Sequence, residues 1–520
     1  MPAPGRDRRL MLKIAPLSVK DPRLPKSYLA GVVSDQSARL AIVLAGLWLT
    51  PFVLRFLDRE AYGVFALAMS VITWLQTLDL GTSAGLQAHL ARDAGTATDY
   101  QASRYVSSTF FAQLFLAAVT LCLGVAAAAV VPNFFEVRED LRPDTATLCA
   151  ALAAGMAVSQ IAKSYKAALM AYQKIHVNHL LQLVSVAVRV IITVWLFVAG
   201  WGLIALGVAH VVASVAAAAL TVLLCRRLLP AIVVRPSSAS LRTLRTIGGS
   251  AIWFSLGGIA GILILGTDRA VAAKVLSLEA VAVLFLSGRL FGLAESLLGP
   301  IADTARPVLG TLLGQGRSLE AHQTFELVNR ALRTLAVVSA LATWAGNREF
   351  VTAWVGAENY GGWALDAAFA AALFARLGFL PCRALLASAL VVKPQTLARL
   401  VEGAVNLFLT VVLAKLYGLV GVVLSTPIAT TLTSAWYLPR LVGQVFGGQA
   451  PPRPGSSSML LLAVSLVCAA GSGRLVAAFI GGFAGAGIAM VMTFASGLAA
   501  FWMFATDAAV RVRIRALLPA

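Results

Sequence analysis

Charge is what this sequence has least of. Only 12% of its 520 residues are Asp, Glu, Lys or Arg, roughly half the share of a soluble globular protein. A chain so poor in charge cannot face water all round, which excludes a soluble enzyme or binding domain. Acids are the scarcer sign: 23 Asp and Glu stand against 42 Lys and Arg. In a soluble chain the net charge of +19 would point to nucleic acid. Here the excess lies largely in loops and near helix ends, where it sets orientation in a membrane, so no nucleic-acid partner is expected. Anionic lipid head groups are the expected surface partner. Cysteine is scarce too. Cys122, Cys149, Cys225, Cys382 and Cys468 are scattered without paired spacing, which suits small apolar packing and not a disulfide framework. His176 and His179 are three apart with no Cys or carboxylate ligand beside them, so no metal is expected. The sequence has no GxxxxGK[ST] motif, which argues against direct use of ATP by this chain. No cofactor and no catalytic residue are expected.

Apolar sequence is what the chain has in plenty, 59% of all residues. Fourteen apolar segments follow one another between residues 38 and 505, of the length that crosses a bilayer as a helix. Only a short Gly-rich turn near Gly481 parts the last two. The fold class is therefore an all-α polytopic membrane protein of about 14 transmembrane helices. Residues 1–37 form a basic tail whose one apolar patch, MLKIAPLSV, is broken by Lys13 and Pro16, too poor for a signal-peptide core. Residues 38–224 make a first six-helix lobe, 225–247 a linker with five Arg and no acid, and 248–438 a second six-helix lobe. Residues 439–457, containing QAPPRPGSSS, are a flexible connection; 458–505 are an additional helix pair and 506–520 a basic tail. The Arg-rich linker and tails place both termini in the cytoplasm. Within the linker, SLRTLRTIGG suggests a short helix on the membrane surface.

The two lobes are expected to be copies of each other. LDREAYGVF at 57–65 and LSLEAVAVL at 276–284 share Leu57/Leu276, Glu60/Glu279, Ala61/Ala280 and Val64/Val283. Both follow the first helix of a six-helix block. WGLIALGVAHVVASV at 201–215 and YGLVGVVLSTPIATT at 417–431 share Gly202/Gly418, Leu203/Leu419 and Ala213/Ala429, and both precede the sixth helix. Six is even, so the copies share an orientation, as parallel repeats about an axis along the membrane normal.

Charges within the spans mark candidate function, because a charge at bilayer depth costs about 2.5–3.5 kcal/mol and usually faces a partner or a wet cavity. Arg289 sits near the middle of EAVAVLFLSGRLFGLAESLLGPIAD at 279–303. Arg289, Gly292, Ser296, Gly299 and Asp303 recur at spacings of 3, 4, 3 and 4, one narrow polar side of a helix. The further cavity candidates are Arg189, Arg376, Lys163 and Lys166, with Glu295 as an acid whose partner lies on another helix. A structural ion pair is the alternative role for each. Asp58 and Glu60 could imitate an acidic catalytic pair, but a turn role suits their short loop better. Pro51, Pro300, Pro381 and Pro427 fall inside spans, where they kink helices.

FLDREAYGVFALA at 56–68, LDLGTSAGLQAHLAR at 78–92, DRAVAAKVLSLEAVAVLFLSGRLFGL at 268–293 and YGLVGVVLSTPIAT at 417–430 together resemble the polysaccharide-transporter branch of the multidrug/oligosaccharidyl-lipid/polysaccharide (MOP) superfamily. The resemblance implies two six-helix lobes around a central cationic cavity, often with two additional helices. It implies movement of an undecaprenyl-diphosphate-linked oligosaccharide across a bacterial inner membrane, for O-antigen, capsule or exopolysaccharide synthesis, with polymerase and assembly proteins as possible partners. A drug or cation antiporter of the same superfamily is the main alternative. It would favour an acid in the first span of a lobe, and helix 1 has none before Asp58. A membrane glycosyltransferase or polymerase is a third reading, set back by the short outer connections.

Overall fold

The structure is a computed structural model that describes residues 26–76, 81–93, 98–172, 174–248, 251–447 and 456–504. Most of the N-terminal tail and the C-terminal tail lie outside the described residues. Among the described residues every regular element is helical. In lipid the backbone must satisfy its own hydrogen bonds, and an isolated strand cannot do so.

The first half runs α1 (Lys26–Val53), α2 (Arg59–Gln76), α3 (Thr82–Asp93), α4 (Asp99–Phe134), α5 (Arg142–Ala171), α6 (Ile175–Val198) and α7 (Ile204–Leu228). A linker helix, α8 (Leu241–Gly248), follows. The second half begins with α9 (Ala251–Leu265), α10 (Thr267–Val275), α11 (Leu278–Ser287) and α12 (Arg289–Gly314). It continues with α13 (Ser318–Val355), α14 (Trp363–Gly378), α15 (Leu380–Ser388), α16 (Val392–Leu432) and α17 (Ser434–Val445). The chain closes with α18 (Ser456–Ile480) and α19 (Gly482–Phe504), parted by Gly481 and Gly482, both at positive φ.

Polarity is inverted relative to a water-soluble protein. Phe479, Leu475, Val467 and Val198 are largely exposed, while Thr120, Gln160, Ser164 and Asn406 are fully buried. Lipid supplies the apolar surroundings these outer side chains need, and small or polar residues pack the helices together. Nine helices among the described residues are long and apolar enough to cross a membrane, or ten if the bent pair α11–α12 counts as one span. That criterion does not reach the fourteen segments expected from sequence. One reason is that Val392–Val445 counts once, although Gly418 (φ 59°, ψ −138°) breaks its helical path. Another is that the apolar part of α1 counted here, Leu40–Val53, is shorter than a full span.

Both matched landmarks have a physical counterpart. Asp58 Oδ1 accepts from Ala61 N at 2.8 Å, and Ser277 Oγ accepts from Ala280 N at 3.1 Å. These are equivalent N-caps, opening α2 and α11 at the same point of each motif. Gly202 and Gly418 both hold positive φ, 54° and 59°, the left-handed region where Cβ penalises other residues.

The two halves meet at the end of the molecule that carries the acidic connection 135–141, hereafter the acidic end. The starts of α2 and α11 cross so closely that a Cβ on Gly63 would overlap the Leu278 carbonyl. Trp354 Nε1 of α13 donates to Leu47 O of α1 at 2.7 Å. Lys274 Nζ of α10 donates to Phe134 O, the last turn of α4, at 2.9 Å, and to Glu136 Oε1 at 2.7 Å. Within the first half, Arg138 gathers Asp58 (3.1 Å), Glu60 (3.6 Å) and Asp140 (2.6 Å). Asp58 and Glu60 thus serve a cap and a loop.

The opposite, basic end carries the linker. Three α4 hydroxyls strap it down: Ser103 Oγ accepts from Val233 N, Ser107 Oγ from Arg235 N and Ser108 Oγ from Ser240 N, at 3.0–3.1 Å. The expected helix forms as α8, but its inner side does not rest on lipid. Thr243 and Ile247 are buried, with Ile247 against Gly85 of α3, because α3 and α4 offer α8 an apolar seat. Arg242 and Arg245 remain exposed.

Candidate functional site

Between the halves lies a cavity of about 390 Å³. Its wall comes from α1 (Ile42, Val43, Leu47) on one side and from α10, α11, α12, α14 and α16 on the other. Five charged side chains line it: Asp268, Arg269, Arg289, Glu295 and Arg376. Three arginines against two carboxylates leave one net positive charge.

The backbone breaks where the site is built. α11 and α12 meet at a bend of 50°, and Arg289 is the first residue past it, so its side chain projects from the bend toward α1. There Gly46 makes room: a Cβ at that position would overlap the Arg289 guanidinium. α9 and α10 are likewise separate helices that meet at Gly266, which places Asp268 and Arg269 in the first turn of α10. Arg269 reaches into the first half, where Nη1 donates to Ser70 Oγ at 3.2 Å and Ala66 O at 3.4 Å. Arg269 and Arg289 share one aromatic ring: their Cζ atoms lie 4.6 and 5.8 Å from the Phe285 centroid.

Arg376 of α14 is the compensated cation. It sits 3.2 Å from Glu295 and 3.8 Å from Asp268. Among the described residues Arg269 and Arg289 have no carboxylate within ion-pair distance. Two guanidiniums roughly 10 Å apart or less repel by about 1.7 kcal/mol or more at an effective dielectric near 20. Cation–π attraction of about 0.5–2 kcal/mol per contact offsets that. The site is thus held together while its positive charge remains available to an anion.

The polar side of α12 leads out of the cavity toward the basic end. Gly292 and Gly299 face open space. Side-chain exposure rises from 31% at Glu295 to 62% at Asp303, which pairs with Arg306 at 3.0 Å. At the acidic end the two halves are in contact, whereas toward the basic end the polar side of α12 is increasingly exposed.

Of the residues expected from sequence, the structure brings Arg289, Arg376 and Glu295 together, the last two as an ion pair between α12 and α14. It does not bring Arg189, Lys163 or Lys166 to the cavity wall. Arg189 is half-buried in α6, and the two lysines are half-buried in α5. Arg269 and Phe285 were missed. Arg269 stands at the end of an apolar run, where an arginine usually reaches the interface. The DR pair opening DRAVAAK was the available signal.

A family model described as polysaccharide biosynthesis protein matches residues 29–313, more than half of the chain. The chain is 23% identical over 420 residues to the uncharacterized membrane protein EpsK of Bacillus subtilis (strain 168), covering 80% of this chain and 83% of that one. It superposes on an inward-facing multidrug resistance MATE family transporter of the MOP superfamily with a TM-score of 0.68. The identity there is 12%, over 79% of this chain and 96% of the other. The lipid II flippase MurJ in an inward closed conformation gives 0.65 at 12% identity, over 92% and 98%. By this family match over more than half of its length, the chain belongs to the polysaccharide biosynthesis protein family, in a fold it shares with those two structures.

Proposed function

We propose that the protein flips a lipid-diphosphate-linked oligosaccharide across a bacterial inner membrane. The observation that carries the reading is the pair Arg269 and Arg289 in a cavity between the halves, neither with a carboxylate at ion-pair distance among the described residues. An anionic head group entering from the basic end meets first the polar side of α12 and then these guanidiniums, which suit phosphate oxygens. The lipid tail stays in the bilayer while the head group crosses. The basic end faces the cytoplasm, both termini lie there, and the lobes 38–224 and 248–438 rock as units in alternating access. Export requires the contacts at the acidic end to open. A drug or cation antiporter is the second reading. It suits the cavity less well, because a cation would meet a net positive lining. A glycosyltransferase is a poorer fit still, since Asp58 and Glu60 are engaged in a cap and a loop.

The test is complementation of glycan export. Arg289→Ala abolishes export while the protein remains inserted and abundant. Arg289→Lys retains part of the activity if charge dominates, and little if bidentate geometry matters. Normal export by well-expressed Arg289→Ala contradicts the proposal.

A further inference from the structure

We infer that Phe285 is the positioning residue of the cavity, holding Arg269 and Arg289 side by side to take the two phosphoryl groups of one diphosphate. The inference rests on the flippase reading. The Phe285 ring lies within cation–π range of both guanidiniums. It lines the cavity and is set edge-on to Tyr62 of α2, 6.0 Å between centroids, which fixes it from the first half.

The two arginines depend on the ring unequally. Arg269 is also anchored through Ser70 and Ala66. Arg289 has the ring and the space over Gly46. Loss of the ring therefore frees Arg289 most, and the spacing between the charges is lost with it.

An aromatic ring suits this task where a carboxylate does not. Its face attracts a cation through the quadrupole but carries no net charge. It orders the guanidiniums without neutralising them, so an incoming anion displaces no counter-ion. Arg376 illustrates the contrast, held by Glu295 and Asp268 within the same cavity. A ligand with one phosphoryl group needs one of the two guanidiniums and gains little from their spacing. A diphosphate gains from both.

The test uses the full chain in detergent with geranylgeranyl diphosphate and geranylgeranyl monophosphate as probes, by microscale thermophoresis. Phe285→Leu is expected to weaken diphosphate binding about tenfold, equivalent to ~1.4 kcal/mol, and monophosphate binding less than about threefold. Phe285→Tyr, which keeps the ring face, binds the diphosphate like the unaltered protein. Should Phe285→Leu fail to run as a single species on gel filtration, Phe285→Met is read in its place. Arg289→Gln separates the two levels of the proposal. If Arg289→Gln loses diphosphate binding while Phe285→Leu and Phe285→Met bind normally, the positioning role is overturned and the flippase reading stands. Equal losses for both probes, or a loss in Phe285→Tyr as large as in Phe285→Leu, also overturn it. If the unaltered protein binds neither probe, or Arg289→Gln binds like it, the reading of the cavity falls and the positioning role with it.

Discussion

Gly63→Ala should shift the protein toward a state open at the acidic end without unfolding it. Gly63 lies where α2 crosses the start of α11. A Cβ there would overlap the Leu278 carbonyl oxygen and lie 2.7 Å from its carbon and 3.4 Å from Leu278 Cα. Carbon atoms in contact settle near 3.5–4.0 Å, so the two helices must part by about 1 Å. Both obstructing atoms are backbone and cannot turn aside, because the Ser277 cap fixes this end of α11. Overpacking of this kind costs about 1–3 kcal/mol. The penalty exists only where the helices touch, so it appears as a change in the closed-to-open ratio of about 5- to 160-fold. Helix propensity works differently. Ala is better than Gly in α2 by about 1 kcal/mol, but equally so in both states, and this partly offsets the clash against unfolding. Spin labels at Asp140 and Glu358, both exposed at the acidic end on opposite halves, report the opening by pulsed electron resonance. The variant should gain a longer distance at the expense of the short one. Gly471→Ala, at a helical position facing open space, should leave the distribution unchanged. Identical distributions for Gly63→Ala and the unaltered protein would refute the claim that the α2–α11 crossing closes this end.

Three further outcomes follow from the same geometry. The Lys274 hydrogen bond holds the Glu136 carboxyl below its ordinary value of 4.5. Its stabilising contribution is therefore complete above that value and disappears as pH falls through the depressed one. Closure measured with the same labels should be flat from pH 6 to 8 and loosen only in acid below about 4.5, and Glu136→Gln should remove that acid dependence. Glu402 is buried and accepts from Arg383 (2.9 Å), Thr430 (2.7 Å) and Ser434 (2.5 Å). Glu402→Ala strands Arg383 and should cost about 3–5 kcal/mol, read as a lowered detergent melting temperature and less protein in the membrane. Arg376→Ala leaves Glu295 and Asp268 without their cation, so the cavity loses its net positive charge, two arginines then facing two carboxylates. Diphosphate-lipid binding should fall about tenfold or more, and Arg376→Ala with Glu295→Gln should restore part of it.

Much of the fold could be read from the chain because lipid imposes simple rules on sequence. Long apolar runs with few charges become helices, and the polar side of α12 follows from its 3,4 spacing. The two matched landmarks coincide with local structure, an N-cap at Asp58 and at Ser277 beside the first and a positive φ at Gly202 and Gly418 in the second. The break at Gly418 could be read as well, since YGLVG at 417–421 marks the turn before the sixth helix and Gly418 leaves the helical path there. Sequence could not say which way a mid-span charge faces. Arg189 and Arg289 look alike in sequence, both arginines within apolar runs. Only packing brings Arg289 to the cavity wall, against Gly46, and leaves Arg189 away from it. Arg269 was hidden because its helix is broken at Gly266, which brings an apparent helix-end residue into the cavity. The seat of α8 depended on α3 and α4, more than 100 residues away for the strapping serines of α4.

The most direct measurement of the central claim is photocrosslinking from the polar side of α12. p-Benzoylphenylalanine placed at Ser296, which lines the cavity, is irradiated in membranes of cells making the glycan, and the adduct is identified by mass spectrometry. A second copy of the probe at Leu475, on the lipid-facing surface of α18, serves as reference. The account predicts a diphosphate-linked glycolipid adduct at Ser296 that Arg289→Ala diminishes, and phospholipid adducts alone at Leu475. Phospholipid adducts alone at both positions, or a glycolipid adduct at Ser296 that Arg289→Ala leaves unchanged, would contradict it.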